Sequence, residues 1–480
     1  MSQATLPIDF RTNTQHVPPK MPAAVQKATA KFLGTRAALV EALGNDLWQA
    51  LRQAGHDVRL HAITHLDHYL EQAERAVTKA GGHVHWARDA AEANRIVLDI
   101  AHQHHVKKAV KSKSMATEEI GLNHAMEAEG IQIIETDLGE YIVQLLGVGP
   151  AHIVVPAFHL SKEEIAALFR EKLGVDAPAE AEKLTQIARM KLREEFLTAD
   201  LGISGGNFLV AETGTIVTVT NEGNGRMCTT IPPIHVAIVG IDKIVPDWES
   251  LTVLLKVLAR SATGQKITCY TQFISGPPRT ETETGPKELH LVLLDNGRSR
   301  ILQSPECRET LLCIRCGACL NICPVFNSVG GYTYGYPISG PTGMMFASQI
   351  LGAKAAGGLA FASTLCGACN DICPVKIPIT EILLHLRHRV VEGDEQEGAV
   401  APYPLRMGAQ IGSVALRTPW LYRLGSTLLK WLQAPLKRDG WLPKLPPPLN
   451  RWTMARPLPA FASDFRAWWR TRSREAKGRP

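Results

Sequence analysis

A chain of 480 residues, 45% hydrophobic and 20% charged, is too long for one ordinary domain and too apolar to be disordered or fibrous, so two or three folded domains are expected. The formal net charge of +6 is lopsided: residues 451–480 carry eight Arg or Lys against Asp464 and Glu475, while no basic stripe interleaved with aromatics runs through the rest, which argues against nucleic acid as a partner. No apolar run approaches a membrane span and "MSQATLPIDFRTNTQHVPPK" lacks the apolar core of a signal peptide, so a cytoplasmic protein is expected.

Behind an N-terminal arm (residues 1–21), amphipathic helices alternate with short apolar strands from residue 22 to 300. "DAAEANRIVLDIAHQHH" (89–105) has helical apolar spacing; "KSKSM" leads into a helix predicted over "TEEIGLNHAMEAEG" (117–130), and "IQIIETD" reads as a strand. A strand "HIVVPAF" (152–158) and the helices "SKEEIAALFREKLG" (161–174) and "AEAEKLTQIARMKLREEFLTAD" (179–200) continue the rhythm. "NFLVAETGTIVTVTN", "IHVAIVGI", "KITCYTQFI" and "ELHLVLLDNG" are β segments rich in Thr, Val and Ile, interrupted by the helix "WESLTVLLKVLARSA". This alternation predicts an α/β domain with a mainly parallel sheet covered by helices. No G-x-G-x-x-G follows the first strand and no G-x-x-x-x-G-K-[ST] occurs, so neither dinucleotide nor P-loop binding is supported.

Within this region Ser112, Lys113 and Ser114 precede Thr117, where they would hold a carboxylate or phosphate at a helix start, or Ser114 would simply cap the helix. Glu212 in "AETGT" reads as a buried acid in a pocket or, more commonly, as the partner of a nearby Lys or Arg. His65, His68, His102, His104 and His105 read as solvated or core histidines rather than ligands. Beyond residue 300 come a helix "SPECRETLL", a cysteine loop, a Gly- and Tyr-rich connector (327–346) read as an ordered loop, and a second cysteine loop. Tyr332, Tyr334 and Tyr336 in the connector either shield a cofactor or pack ordinarily. "WLYRLGSTLLKWL", with Arg423 and Lys430, is an amphipathic helix, and "KLPPPLNRW" a linker-like break. The basic tail reads as a solubilising segment or as a contact with an acidic partner or an anionic membrane surface.

Ten cysteines in a long chain of this type argue against a disulfide scaffold and for metal or redox chemistry; eight of them fall between Cys307 and Cys373. "CIRCGACLNICPV" gives Cys313, Cys316, Cys319 and Cys323 before Pro324, the full C-x2-C-x2-C-x3-C-P run of bacterial two-cluster ferredoxins. Three thiolates in one short loop reach three irons of a cubane, while the fourth, at the next helix start, turns to the other cluster. Gly317 lets backbone N–H groups approach the inorganic sulfides. Zinc takes four tetrahedral ligands, commonly as two separated pairs, and does not fit this spacing. "STLCGACNDICPV" (363–375) supplies Cys366, Cys369 and Cys373 before Pro374, but Ser363 stands where a first cysteine belongs.

The crossing rule assigns Cys313, Cys316, Cys319 and Cys373 to cluster one, a [4Fe–4S], and Cys323, Cys366 and Cys369 to cluster two. For the fourth corner of cluster two the choices are Ser363, Cys307 or an open position. Serine is a hard, high-pKa donor, and Cys307 reads as a buried helix residue, so the open corner is favoured: a [4Fe–4S] with a labile iron, or a [3Fe–4S].

Three blocks, "KSKSMATEEIGLNHAMEAEGIQIIETDLGEYIVQL", "NFLVAETGTIVTVTNEGNGRM" and the paired cysteine runs, resemble the LutB-type lactate-utilisation iron–sulfur proteins over nearly the whole chain. The first two are similar to the LUD domain, whose fold is akin to the NagB/RpiA/CoA-transferase α/β group. The last is similar to an α-helical ferredoxin-type module with two clusters. Domains are accordingly expected at 22–300 (LUD), 301–395 (iron–sulfur) and 396–480 (helical and Pro-rich, with the basic tail). The resemblance implies an electron-transfer subunit that works with two partner subunits to oxidise L-lactate to pyruvate, its acceptor unidentified. Two rivals are a LUD domain that itself oxidises the hydroxyacid, and a redox-sensing regulatory protein. The glutamate nucleophile of the related CoA-transferases is not carried over to Glu212, because the surrounding motif is not matched. A peripheral place at the inner membrane face, reached through the basic tail, is the remaining expectation.

Overall fold

The computed structural model describes residues 8–280, 283–393, 398–447, 449–453, 456–460, 468–470 and 472. They fall into two compact units, residues 1–400 and 401–480. The first contains β1 (His83–Ala87), β2 (Lys108–Lys111), β3 (Gln132–Glu135), β4 (Leu201–Gly205), β5 (Phe208–Val210), β6 (Thr215–Thr220), β7 (Ile234–Gly240), β8 (Ile244–Val245), β9 (Tyr270–Ile274) and β10 (Glu288–Leu294). Six of these form a wholly parallel sheet in the order β1-β10-β7-β4-β2-β3. The others form a mixed sheet in the order β8-β5-β6-β9.

The sequence explains why β7 and β10 sit inside the large sheet. "IHVAIVG" is buried along its whole length and "ELHLVLL" along nearly all of it, as strands covered on both faces must be. One face is covered by helix Leu66–Lys79, which packs Leu70 and Val77 against Val239 and Leu291. The other is covered by helices Ala90–Gln103 and Leu122–Ala128, which bring Val97 and Met126 against Val236 and Val292.

A further core joins parts far apart in sequence. Trp48 and Ile63 from helix Asn45–Thr64, Leu254 from helix Trp248–Ala262, and Cys313, Phe326, Phe346 and Leu383 from the cysteine region share one hydrophobic cluster. Phe326 and Phe346 are fully buried there, each contributing about 1.5–3 kcal/mol of burial free energy. Helices Met21–Leu43 and Asn45–Thr64 join the cysteine region to helix Trp248–Ala262, and Asn45–Thr64 also packs on β8 of the mixed sheet.

Local expectations fail where tertiary contacts outweigh local pattern. "HIVVPAF" forms turns instead of a strand: His152 Nδ1 accepts the N–H groups of Val154 (3.0 Å) and Val155 (3.3 Å), and the segment packs against Gly317 of the first cysteine loop. The helix predicted over 117–130 is two, Met115–Glu119 and Leu122–Ala128, parted by left-handed Gly121. "SPECRETLL" makes a 3₁₀ turn, Arg308–Leu312, in place of an α-helix. The connector is not loop throughout, because Gly340–Ile350 is helical, Pro341 standing in its first turn where no N–H is needed.

In the second unit, helices Tyr403–Arg417 and Pro419–Gln433 pack against each other, and the second is the amphipathic helix expected. Ile411, Val414, Leu416, Trp420, Leu428 and Trp431 are exposed on them, and no Asp or Glu occurs between residues 403 and 433. Most of the basic tail, including Asp464 and Glu475, lies outside the described residues. Among the described residues no helix is long and apolar enough to cross a membrane.

Candidate functional site

The two cysteine loops are copies of one backbone design. Arg315 and Leu365, just before Cys316 and Cys366, are left-handed (φ 59° and 55°), as are Gly317 and Gly367 just after them (φ 76° and 83°). Helices Ala318–Ile322 and Ala368–Ile372 follow in turn. A left-handed non-glycine residue costs backbone energy, so its recurrence at matching positions marks loops shaped for a purpose beyond turning the chain. The Arg315 N–H donates to Cys313 Sγ (3.4 Å), and the Leu365 N–H donates to Ser363 Oγ (3.1 Å). Ser363 thus occupies in the second loop the seat that Cys313 occupies in the first.

All ten cysteines are free. Cys316 and Cys319 each lie in the electrostatic field of Cys313 and Cys373, whereas Cys369 lies in that of Cys323 and Cys366. Cys319 also feels Cys369, so the two groups adjoin. Cys307 sits apart, among Ser304, Arg389 and Glu306. Burial pushes the Cys369 thiol up to about 12 and that of Cys373 up to about 11, and it holds Cys316 and Cys319 above the usual thiol range. Such thiols ionise only against positive charge, which iron supplies. Cys366 is exposed, and hydrogen bonds donated to its sulfur by the Ala368 N–H and the Thr364 hydroxyl lower its pKa.

Among the described residues, the donor atoms of His104, Glu288 and His290 are the only trio of His, Cys, Asp or Glu atoms lying within 4.8 Å of one another. The cysteine thiols are therefore spread too widely for a single zinc ion, and they suit a polynuclear cluster in which each iron takes one thiolate. His104, read from sequence as a solvated or core histidine, stands 3.2 Å from Glu288 Oε2, which His290 Nε2 also approaches at 3.2 Å.

Cations from distant segments hold both loops by their carbonyls. Arg59 Nε donates to Leu312 O (3.2 Å) and its Nη2 to Leu311 O (2.7 Å), and Lys243 Nζ donates to Cys313 O (2.9 Å). On the second loop, Arg52 Nε donates to Cys373 O (2.9 Å) and Arg36 Nη2 to Ile372 O (3.2 Å). Positive charge placed this way favours an anionic cofactor and fixes the ligands that would carry it. These residues are missing from the sequence reading, yet a signal exists: Trp48, Arg52, Gly55, Arg59 and Ala62 recur at helical spacing as one buried stripe, so two arginines stand where apolar residues are expected.

A cavity of about 440 Å³ opens outside the carboxyl ends of β2, β4 and β7 and reaches Arg315 and Cys316 of the first loop. Ser112 and Lys113 line it, while Ser114 also caps the helix, its Oγ accepting the Thr117 N–H (3.3 Å). Glu212 is exposed between β5 and β6 and is not part of this lining. Tyr334 is fully buried beside Phe10 and Phe326, and Tyr332 meets His159 Nε2 at 3.3 Å, so these two tyrosines pack within the protein.

Comparison with known proteins matches residues 70–294 to the LUD domain and residues 309–377 to the 4Fe-4S dicluster domain. A protein of Shouchella clausii named lactate utilization protein B is 44% identical over 457 residues, 95% of this chain and 94% of that one. Proteins of the same name from Bacillus licheniformis and Macrococcus caseolyticus are each 43% identical, over 95% and 94% of this chain and 94% of their own lengths. A solved DUF162 family protein from Deinococcus radiodurans aligns with 48% of this chain and 98% of its own at 16% identity, with a TM-score of 0.27, too low to bear on the fold.

Proposed function

We infer that this chain, which belongs to the lactate utilization protein B family, is the iron–sulfur electron-transfer subunit of a complex that oxidises L-lactate to pyruvate. The observation that carries the reading is the division of seven thiols into an inner group beside a cavity, with Cys313, Cys316 and Cys373 buried and Cys319 half-buried, and an adjoining group that reaches the surface at Cys366. Cys313, Cys316, Cys319 and Cys373 would hold a [4Fe–4S] cluster. Cys323, Cys366 and Cys369 would hold a second whose corner at Ser363 is open, as a labile [4Fe–4S] or a [3Fe–4S]. When bound, these clusters supply one-electron carriers at neighbouring positions.

The chain's own residues do the rest. Arg36, Arg52, Arg59 and Lys243 fix the loops, and Phe326, Tyr334 and Phe346 keep water from the inner group. The exposed Cys366 edge is where a partner subunit or the unidentified acceptor would meet it. On this reading the LUD domain spans 22–300 and the iron–sulfur domain 301–395. Two partner subunits complete the cytoplasmic complex, and the basic tail of region 396–480 contacts the inner membrane face.

Electron paramagnetic resonance on air-free protein with its partners, before and after L-lactate, tests this. Lactate is expected to reduce the clusters; if only a chemical reductant does so, the lactate assignment falls while the iron–sulfur one stands. Two substitutions sharpen the ligand set. Ser363→Cys is expected to raise iron toward about eight per chain and to abolish any [3Fe–4S]-type signal of the oxidised protein. Cys307→Ala is expected to leave iron content and lactate-dependent reduction unchanged, and a loss of either would make Cys307 a ligand.

A further inference from the structure

The cavity at the carboxyl ends of β2, β4 and β7 lies where loops from neighbouring parallel strands converge, the general position of ligand sites in open α/β sheets. Its volume of about 440 Å³ is in the range of small-molecule sites. Its wall on one side is Ile314, Arg315 and Cys316, so whatever fills it lies against Cys316, one of the four thiols proposed to hold cluster one.

Most charged groups on the wall are already spent. Glu119 is bound to Arg298 through two hydrogen bonds (2.9 and 3.0 Å), and Lys243 is bound to Asp242 (2.8 Å) and to Cys313 O. Asp137 caps its own helix by accepting the N–H groups of Gly139 and Glu140 (both 3.1 Å). Glu222 accepts the Leu138 N–H (3.1 Å), and burial pushes its carboxyl up to about 7, which weakens its repulsion of an anion.

Three groups are left over. Lys113 Nζ is buried and makes no hydrogen bond; its ion pair with Glu140 is long, at 3.9 Å, and Asp137 and Glu222 lie in its field. Arg315 Nη1 is buried and unpartnered, its guanidinium lying over the Phe346 ring at 3.6 Å. Asn224 is 6% exposed, and its Oδ1 has no partner. That amide is oriented by the Thr136 hydroxyl, which donates to Lys111 O (2.8 Å), accepts from Asn224 Nδ2 (3.3 Å) and also lies 3.2 Å from Cys228 Sγ. Buried polar groups without partners are costly, so cations and an acceptor left in one cavity describe the ligand they lack. A ligand that carries both an anion and a hydrogen-bond donor would answer all three.

We propose that this cavity binds a small 2-hydroxycarboxylate, with Lys113 and Arg315 holding the carboxylate and Asn224 Oδ1 accepting the hydroxyl proton, against the wall formed by Cys316. The assignment rests on the electron-transfer reading above and adds to it where the substrate sits: in this chain, next to the inner thiols. It concerns binding alone; the two-electron chemistry is left to the assembled complex.

Calorimetric titration of the air-free, full-length protein with L-lactate and with propionate, which differ only in the hydroxyl, tests the proposal. L-lactate is expected to bind at least about tenfold more tightly than propionate, about 1.4 kcal/mol. Lys113→Met is expected to weaken both acids at least about tenfold. Asn224→Ala is expected to remove the discrimination while leaving propionate unchanged, a pattern that misfolding would not produce. Iron content and reduction by dithionite are recorded on every sample. Equal binding of the two acids by wild-type protein, unaltered binding by Lys113→Met, or no binding by protein whose clusters are present and reducible would overturn the cavity assignment and leave the electron-transfer reading intact. Protein that takes up no iron would overturn that reading, and the assignment with it.

Discussion

Replacing Cys316 with alanine is expected to remove the inner cluster, read as about four fewer irons per chain and the loss of lactate-dependent electron flow through the complex. Cys316 is 8% exposed, lies in the field of Cys373 and Cys313, and accepts a hydrogen bond from the Ala318 N–H. Alanine would leave one iron without a thiolate in a buried loop, with no spare cysteine beside it: Cys307 is held among Ser304, Arg389 and Glu306. The cation set on Leu311 O, Leu312 O and Cys313 O would then face a loop without its anionic cofactor, with Asp242 left as the counter-charge beside Lys243 and Arg59. Cys316→Ser separates ligand loss from a packing defect, since it keeps the size of the side chain and substitutes a poorly matched oxygen. Iron analysis and visible absorbance of both variants, beside Cys307→Ala, make the measurement. Full iron and normal electron flow in Cys316→Ala would remove Cys316 from the ligand set and undo the crossed assignment of the two loops.

The parts legible in the sequence are those with a short-range cause. Helix Trp248–Ala262 coincides with the stretch read as helical, and the parallel sheet follows from strand–helix alternation, because burial on both faces writes apolar runs such as "IHVAIVG" directly into the chain. The two cysteine loops were legible because their spacing is set by reach within a few residues. What escaped the reading is set at long range. "HIVVPAF" has the composition of a strand, and only its packing against Gly317 and the bond between His152 and Asn321 Oδ1 (3.2 Å) show why it turns instead. The cations that hold the loops come from residues 36, 52, 59 and 243, up to 336 positions from the carbonyls they bind. The left-over groups of the cavity, Lys113, Asn224 and Arg315, lie on three segments that no motif joins. "KSKS" pointed toward Lys113, but whether a serine there caps a helix or faces a cavity depends on which neighbours fold over it, and the structure has Ser114 capping its helix and lining the cavity.

Among those long-range cations Arg59 is expected to matter most to stability. It is 1% exposed, and its guanidinium donates to four backbone carbonyls: Leu312 O (3.2 Å), Leu311 O (2.7 Å), Ile244 O (2.8 Å) and Asp242 O. Those carbonyls belong to the approach to the first cysteine loop and to β8 with the turn before it, so one side chain ties the loop to the mixed sheet. Methionine fills similar volume and donates nothing. Each carbonyl left buried without a partner costs about 1–3 kcal/mol, and partial rescue by neighbouring groups brings the expected loss for Arg59→Met to about 3–5 kcal/mol. Arg59→Lys keeps the charge but replaces a planar fork with a single ammonium that cannot serve four acceptors, so an intermediate loss is expected. The measurement is the denaturant midpoint under air-free conditions, together with the rate at which a chelator strips iron. A lowered midpoint with faster release is expected in the order wild type, Arg59→Lys, Arg59→Met. Because the same carbonyls precede Cys313, the inner thiols should release iron before the surface group does. An Arg59→Met protein with an unshifted midpoint and wild-type iron retention would mean that the loop holds its shape without the arginine, and that the left-handed Arg315 and Gly317 alone define it.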